Sequence, residues 1–465
     1  MILGVFPFRR SANQKGRRVS FRSQPKPPEV AYPSQQVAVP FLVTAALLLG
    51  LQVFIATAGA LDLVFPDLPA PVPFNVGRSI HLNLSLLWPV VGLMGGVFYI
   101  LPLEVRAELV SPRLARLQFW LVLATTLGIL GSLALGYTEG REYLEATRPF
   151  DVALLLILGL FAYNVLRTIG WRPRPWRPTL FGLWSGIVLA LLAYLANAFF
   201  FPNPAVDEYL KFWVVHLWEE GLFELLAIAL IGNLLLAFTG LGEQKLEKWY
   251  AVEIILVLCT GFFATGHHYF WIGVPSYWLY LGGVFGALQP VPILLLSLEV
   301  LSSARKAALT AFSDPAMGFL LSSVLWNLVG AGGLGFLITT PPINRYTHGT
   351  YITSAHAHAA LFGTYGFLVL AAIHFILPRL TRLKMHHGLW SLSLLNLGLL
   401  VMTVALFLAG FLQTYLWRVG GWGFGTVRLL LRPYLALRVL GGFIFACGGV
   451  LPAWDILSGW YVQRR

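Results

Sequence analysis

The sequence predicts an all-α integral membrane protein, a bundle of twelve transmembrane helices, on three observations. Only 11% of the 465 residues are charged and 57% are hydrophobic, too little charge to cover a soluble protein of this size. Mean hydropathy is +0.74. Twelve apolar runs have the length that crosses a bilayer core, roughly 20 residues. They lie near 38–62, 77–103, 115–137, 150–168, 178–201, 209–238, 248–272, 277–302, 315–338, 348–377, 388–416 and 434–462. In lipid such runs must be helices, because every backbone N–H and C=O has to be paired within the segment.

Before the first run, residues 1–37 form a basic segment with Arg9, Arg10, Lys15, Arg17, Arg18, Arg22 and Lys26. It has no apolar core, so no cleavable signal peptide is expected. The net charge of +12 does not point to nucleic acid, because the basic residues fall in short loops between runs. There they set orientation. The loops with Arg167, Arg172, Arg174 and Arg177, with Arg305 and Lys306, and with Arg379, Arg382 and Lys384 share one side with the N-terminal segment. Glu139, Glu142, Glu145 and Asp151 fall opposite. Both termini are therefore expected on the cytoplasmic side of a cell's inner membrane. One stretch breaks the rule: 417–438, read as an outer loop, carries Arg418, Arg428, Arg432 and Arg438.

The two cysteines, Cys259 and Cys447, each sit in an apolar run and read as small core residues. No Cys-x-x-Cys-His occurs, so no haem is expected to be attached covalently to this chain.

Ionisable residues inside membrane spans are costly and therefore functional candidates. A lone buried histidine is more often a hydrogen-bonded core residue than a ligand. Here six occur in a pattern: His81, His216, His267, His268, His356 and His358. His81 and His216 come early in inward-running spans, and His267 and His268 come late in an outward-running one. His356 and His358 follow shortly after the tenth run opens. At a rise of about 1.5 Å per residue, all six reach the outer part of the bilayer. His356 and His358, two apart, are about 200° apart around a helix, so they point to opposite sides. His267 and His268, about 100° apart, can both turn to one ion at a helix end. His216 and Glu220 are four apart and share a face, with Glu224 continuing the stripe. Imidazoles with one carboxylate suit iron better than copper.

The motifs around these residues are His216-Leu217-Trp218-Glu219-Glu220-Gly221, Gly266-His267-His268-Tyr269-Phe270-Trp271-Ile272-Gly273, and His348-Gly349-Thr350 leading to His356-Ala357-His358. Arg78-Ser79-Ile80-His81 and the loop Glu139-Gly140-Arg141-Glu142-Tyr143-Leu144-Glu145 accompany them. In this order, across roughly residues 38–460, they resemble the haem–copper oxidase superfamily. Within it the sequence is most similar to catalytic subunits of cytochrome-c-dependent nitric oxide reductases. The resemblance implies that 38–465 is one catalytic domain holding two haems b, a non-haem iron and Ca2+. It makes His81 and His358 the axial pair of a low-spin haem and His356 the ligand of a high-spin haem. His216, His267, His268 and Glu220 would then hold the iron, and Glu142 the calcium. Arg428 and Arg432, with Arg438, would meet haem propionates at the outer surface.

The implied reaction joins two nitric oxides with two electrons and two protons to give nitrous oxide and water. Its implied partner is a membrane-anchored cytochrome c subunit. Most oxygen reductases of the superfamily carry a tyrosine four residues after the first histidine of the sixth span, where this chain has Glu220. That favours nitric oxide over oxygen. Glu220, Glu224 and Gln289 are the catalytic candidates. Gln289, in Ala287-Leu288-Gln289-Pro290, stands where the family usually has a glutamate, and cannot exchange a proton near neutral pH. No run of polar residues leading in from the cytoplasmic side is evident. Protons are therefore expected from the outer side through Glu220, Glu224 and the 139–145 loop, with no net charge moved. An oxygen reductase and a quinol-fed reductase are the alternatives within the fold. A twelve-span transporter or a haem-binding sensor does not account for imidazoles converging at one depth.

Overall fold

The computed structural model describes residues 30–68, 71–170, 177–239, 243–288, 291 and 313–463. Among them, eleven helices are long and apolar enough to cross a membrane. They are α1 Pro33–Val64, α2 Phe74–Val105, α3 Pro112–Ala134, α4 Arg148–Ile169, α5 Pro178–Ala198, α6 Pro204–Phe238 and α7 Glu247–Tyr269. After the shorter apolar α8, Tyr277–Leu288, come α9 Pro315–Thr339, α10 Tyr351–Thr381, α11 Gly388–Val419 and α12 Phe424–Tyr461. The run at 277–302 is represented by α8, and its continuation past Leu288 lies outside the described residues, apart from Val291. The count of twelve therefore stands at eleven spans and one short apolar helix.

The starts of these helices follow local chemistry. Ser111, Asn203 and Asp314 cap α3, α6 and α9 with side-chain oxygens that accept from the first-turn N–H groups, each followed by proline. Proline suits that position because its missing N–H would be unsatisfied there in any case. Thr350 caps α10 in the same way without a proline.

Two expectations change. The stretch 417–438 is mostly not a loop: α11 runs to Val419 and α12 starts at Phe424. Arg428, Arg432 and Arg438 are thus borne on a helix. Nothing in their side chains opposes it, since arginine is a good helix former. Cys447 is exposed rather than in the core, on the outward face of α12.

The N-terminus of α1 and the C-terminal ends of α10 and α12 meet at one end of the bundle. There Gln36 Nε2 donates to the Leu380 carbonyl at 3.2 Å, and Gly459 packs against Leu383. The six pattern histidines lie toward the opposite end. Four π-helical stretches occur among the described residues: Trp218–Phe223 in α6, Asn327–Leu334 in α9, His358–Gly366 in α10 and Thr414–Val419 in α11. Such wide turns loosen the regular ladder and concentrate at functional sites. Carbonyls in two of them take a side-chain donor from a neighbouring helix. Tyr365 Oη donates to the Glu219 carbonyl at 2.9 Å, and Ser323 Oγ to the Thr364 carbonyl at 2.7 Å.

Candidate functional site

His216, fully buried, stands one residue before Leu217 and the π-helical turn of α6. That turn carries Glu220 back beside it: His216 Nδ1 and Glu220 Oε1 are 3.4 Å apart. On α7 the backbone tightens into a 3-10 turn at Ala264–Tyr269, which presents His267 and His268 together. Their Nε2 atoms are 3.0 Å apart, His268 Nε2 is 3.2 Å from His216 Nδ1, and His267 Nε2 is 3.5 Å from Glu220 Oε1. All four donor atoms lie within 4.8 Å of one another.

These contacts are not a satisfied hydrogen-bond network. A single N–H on His268 Nε2 cannot serve both His267 and His216, and His216 Nε2, Glu220 Oε2 and His267 Nδ1 are buried with no partner. Three nitrogens and one carboxylate oxygen at these separations can all touch a single ion. The donor set suits a first-row transition metal.

Neighbouring side chains hold the set in place. The His268 ring stacks on Phe212, with centroids 5.0 Å apart and planes 13° from parallel. The turn at His267 rests directly on α8 because Gly282 lacks a side chain. A Cβ there would stand 2.3 Å from the His267 nitrogen and 2.5 Å from the Gly266 carbonyl carbon.

His356 and His358 diverge from α10 as their spacing requires. His356 Nδ1 donates to the Gly330 carbonyl of α9 at 2.9 Å, and His358 Nδ1 to the Ser354 carbonyl of its own helix at 2.8 Å. Each bond fixes the tautomer and leaves Nε2 with a free lone pair, the arrangement of a metal-ligating imidazole. The His356 bond needs α9 and α10 in near contact at Gly330, where a Cβ would stand 2.4 Å from the Ala359 carbonyl carbon. His356 is close enough to Glu220 and His267 to feel their charges.

His358 faces His81 of α2, with ring centroids 6.0 Å apart. With metal–imidazole bonds of about 2 Å each, that separation accommodates one metal atom between the two rings. Both rings line a cavity walled by α1, α2, α10, α11 and α12. The Gln52 amide on α1 meets His81 Nδ1 at 3.3 Å. Arg438 also lines the cavity, and its Nε is buried without a partner. Arg432 turns elsewhere, donating to the Val64 carbonyl at 3.2 Å, and Arg428 is exposed.

The 139–145 loop covers the outer end of this region. Glu142 is exposed and paired with Arg78. Tyr143 is held in the left-handed region at φ 67°, a conformation that costs a non-glycine residue strain. It lines that cavity and also a second one bounded by α2, α3, α4, α5 and α6. Burial raises its phenol above the ordinary range. Glu145, buried, accepts from Asn83 Nδ2 at 2.9 Å. Burial pushes its carboxyl up to about 7, against the pull of its backbone hydrogen bond, Arg78 and Asn83.

The remaining sequence candidates are placed as follows. Glu224 is buried deeper in α6, within electrostatic reach of Tyr365. Gln289 lies outside the described residues. Sequence pattern alone does not single out Gln52, Tyr143, Tyr365 or Gly330. Of these only Gln52 carries a signal, as an amide inside an apolar run.

A family model described as Cytochrome C and Quinol oxidase polypeptide I matches residues 36–444. A nitric oxide reductase subunit of Stutzerimonas stutzeri is 33% identical over 90% of this chain and 94% of its own length. A "Cytochrome c oxidase subunit 1 homolog" of Agrobacterium tumefaciens is 26% identical over 95% of this chain and 86% of its own. The "Cbb3-type cytochrome c oxidase subunit CcoN1" of Stutzerimonas stutzeri is 22% identical over 90% and 93%.

The packing at Gly282 and the titration of the outer loop can each be tested. Gly282→Ala pushes the His267 turn off α8 and weakens metal binding roughly ten-fold or more. Metal analysis of the purified protein checks this, with Gly425→Ala, whose Cβ meets open space, retaining the wild-type content. For Glu145, the folded value of about 7 lies above the ordinary 4.5. The stability it allows is complete below 4.5 and is lost as pH rises through about 7, because only the unfolded chain gives up its proton freely in that window. The apparent Tm of the wild type therefore falls across the window relative to Glu145→Gln. Parallel Tm curves for the two proteins would exclude the effect.

Proposed function

Because the chain belongs to the Cytochrome C and Quinol oxidase polypeptide I family, we propose that it is the catalytic subunit of a nitric oxide reductase. It converts two nitric oxides, two electrons and two protons to nitrous oxide and water. One observation carries the choice of reaction. The fourth donor of the metal cluster is the carboxylate of Glu220, 3.4 Å from His216 Nδ1 and 3.5 Å from His267 Nε2. A hard oxygen among three imidazoles favours iron over copper. The similarity to a protein named as a nitric oxide reductase supports the same reading.

In this reading His81 and His358 hold a low-spin haem b, and His356 holds a high-spin haem b. His216, His267, His268 and Glu220 hold the non-haem iron. When bound, these groups supply the one-electron redox chemistry. The protein supplies geometry and protons. The Gly330 and Ser354 carbonyls set the two histidine tautomers, so the rings on one helix face two different pockets. Phe212 and the Gly282 notch hold His268 and His267 at the cluster. Glu220 presents one oxygen to the cluster and keeps Oε2 unpartnered, where it can hold a proton. Glu224, further along the same helix, is the next carboxyl from which that proton is replaced. Gln289 can add a hydrogen bond at the site and no proton.

The outer features complete the proposal. Glu142 supplies a carboxylate to Ca2+, exchanging its pairing with Arg78 for the ion. Arg438 is the arginine best placed for a haem propionate, since its buried Nε lacks a partner in the cavity wall. Arg432 and Arg428 serve propionates only by leaving their present positions. Electrons come from a membrane-anchored cytochrome c subunit on the outer side. The chain lies in the cell's inner membrane with both termini in the cytoplasm.

Analysis of protein purified from membranes tests the reading directly. The expected content is two haems and one further iron per chain, without copper, and the protein consumes nitric oxide to give nitrous oxide. Glu220→Gln is expected to lower iron occupancy and nitric oxide consumption by about ten- to a hundred-fold, leaving the haem spectrum intact. Copper in place of the extra iron, with oxygen consumed in preference to nitric oxide, would instead establish an oxygen reductase.

A further inference from the structure

The three histidines read as haem ligands differ in what holds their second nitrogen. The Nδ1 atoms of His356 and His358 donate to the main-chain carbonyls of Gly330 and Ser354, at 2.9 and 2.8 Å. A main-chain carbonyl can only accept, so it leaves each of those rings one tautomer. His81 Nδ1 instead meets a side chain, the amide of Gln52 on α1, whose Nε2 is 3.3 Å away. The same Nε2 makes a long bond to the His81 carbonyl at 3.4 Å. Gln52 is 6% exposed, and its Oε1 is buried with no partner. The amide lines the same cavity as His81, His358 and Arg438.

An amide carries a donor and an acceptor, and half a turn about its last side-chain bond exchanges them. Its orientation decides which nitrogen of His81 keeps the proton. With the N–H toward Nδ1, the ring proton sits on Nε2, and that nitrogen has no lone pair for a metal. With Oε1 toward Nδ1, the ring donates there and Nε2 is free to ligate. No bond to Oε1 has to be broken for the turn, and only the long bond to the His81 carbonyl is given up. The plain alternative is that Gln52 is polar glue between two membrane helices. The helices do not need it. They already touch at Gly59 and Gly77, where a Cβ on Gly77 would stand 3.4 Å from the Gly59 Cα. A buried amide with an orphan oxygen is costly, and packing alone does not account for it.

We propose that Gln52 is a positioning residue that selects the metal-binding tautomer of His81 and sets the reduction potential of the haem held by His81 and His358. Its amide carbonyl accepts from His81 Nδ1–H when that haem is bound, half a turn from the present orientation. Accepting that proton makes the imidazole a stronger electron donor. A stronger donor favours ferric over ferrous iron and lowers the potential. On the other side of the cavity His358 is tied to a main-chain carbonyl, so its share is fixed. Gln52 is the adjustable partner. The inference rests on the haem assignment and the nitric oxide reductase reading above. In that reading electrons pass through this haem, and its potential sets how readily they leave.

Spectroelectrochemical titration of the purified holoenzyme tests this on the low-spin haem band, with electron paramagnetic resonance showing whether both axial imidazoles are kept. Gln52→Leu removes the acceptor at nearly constant size. It is expected to raise the ratio of ferrous to ferric low-spin haem about ten-fold at a fixed ambient potential, an upward shift of about 59 mV. Gln52→Glu keeps an acceptor oxygen and is expected to hold the potential at or below the wild-type value. Loss of this haem from Gln52→Leu, with Gln52→Glu retaining it, supports the proposal equally, because the tautomer then decides binding. Equal potentials in Gln52→Leu and wild type overturn it. So does any change shared alike by Gln52→Leu and Gln52→Glu, which marks a packing effect. A wild type without a low-spin haem between two imidazoles overturns instead the haem assignment. A wild type that consumes no nitric oxide overturns the reaction and leaves the titration readable, so the failures are distinct.

Discussion

The hydrogen bond from His356 Nδ1 to the Gly330 carbonyl expresses the constraint that shapes the whole site. Lipid offers no water to a backbone carbonyl, so its second lone pair is open to a donor from inside the bundle. Here α9 widens over Asn327–Leu334, and the Gly330 carbonyl, which accepts from the Gly335 N–H, also takes the N–H of an imidazole from α10. The same bond forces the imidazole into the tautomer that leaves Nε2 free. One interaction therefore locks the packing of two helices and fixes which ring nitrogen is left to bind. It is available only because Gly330 lets the helices touch. A Cβ there would collide with the main chain at Ala359.

The same logic recurs around the cluster. Tyr365 answers the Glu219 carbonyl in the widened turn of α6, anchoring the turn that carries Glu220. The tightened turn of α7 is the opposite distortion, compressing the chain so that His267 and His268 reach one point. Regular α-helices throughout would have kept the backbone bonds and lost the convergence. The cost of each distortion is met locally by a neighbouring helix, so the cluster requires the intact bundle and cannot be assembled from any one segment.

This explains which parts are legible in the sequence. Hydropathy locates every described span, because the length of a run and the absence of charge are what lipid demands. The histidines announce themselves because imidazoles are expensive in lipid, and their spacing separates His356 from His358. The widened turns leave no mark, because they depend on what the neighbouring helix offers rather than on local propensity. The extent of α12 is hidden for a related reason. A run of arginines reads as a loop, whereas the helix carries its own backbone bonds beyond the apolar stretch. The choice among Arg428, Arg432 and Arg438 likewise needs three dimensions. Only Arg438 faces the cavity that His81 and His358 line.

Glu253 illustrates the remaining gap between pattern and position. One acid in a long apolar run looks like noise, and the polar groups packed around it do not show along the sequence because they are not contiguous in it. Glu104 on α2, Asn233 on α6 and Tyr250 on α7 are far apart in number and meet only when four helices pack. Once packed, Glu220 and Glu224 lie near the histidine cluster, and Glu104 and Glu253 lie at a different depth, nearer the termini.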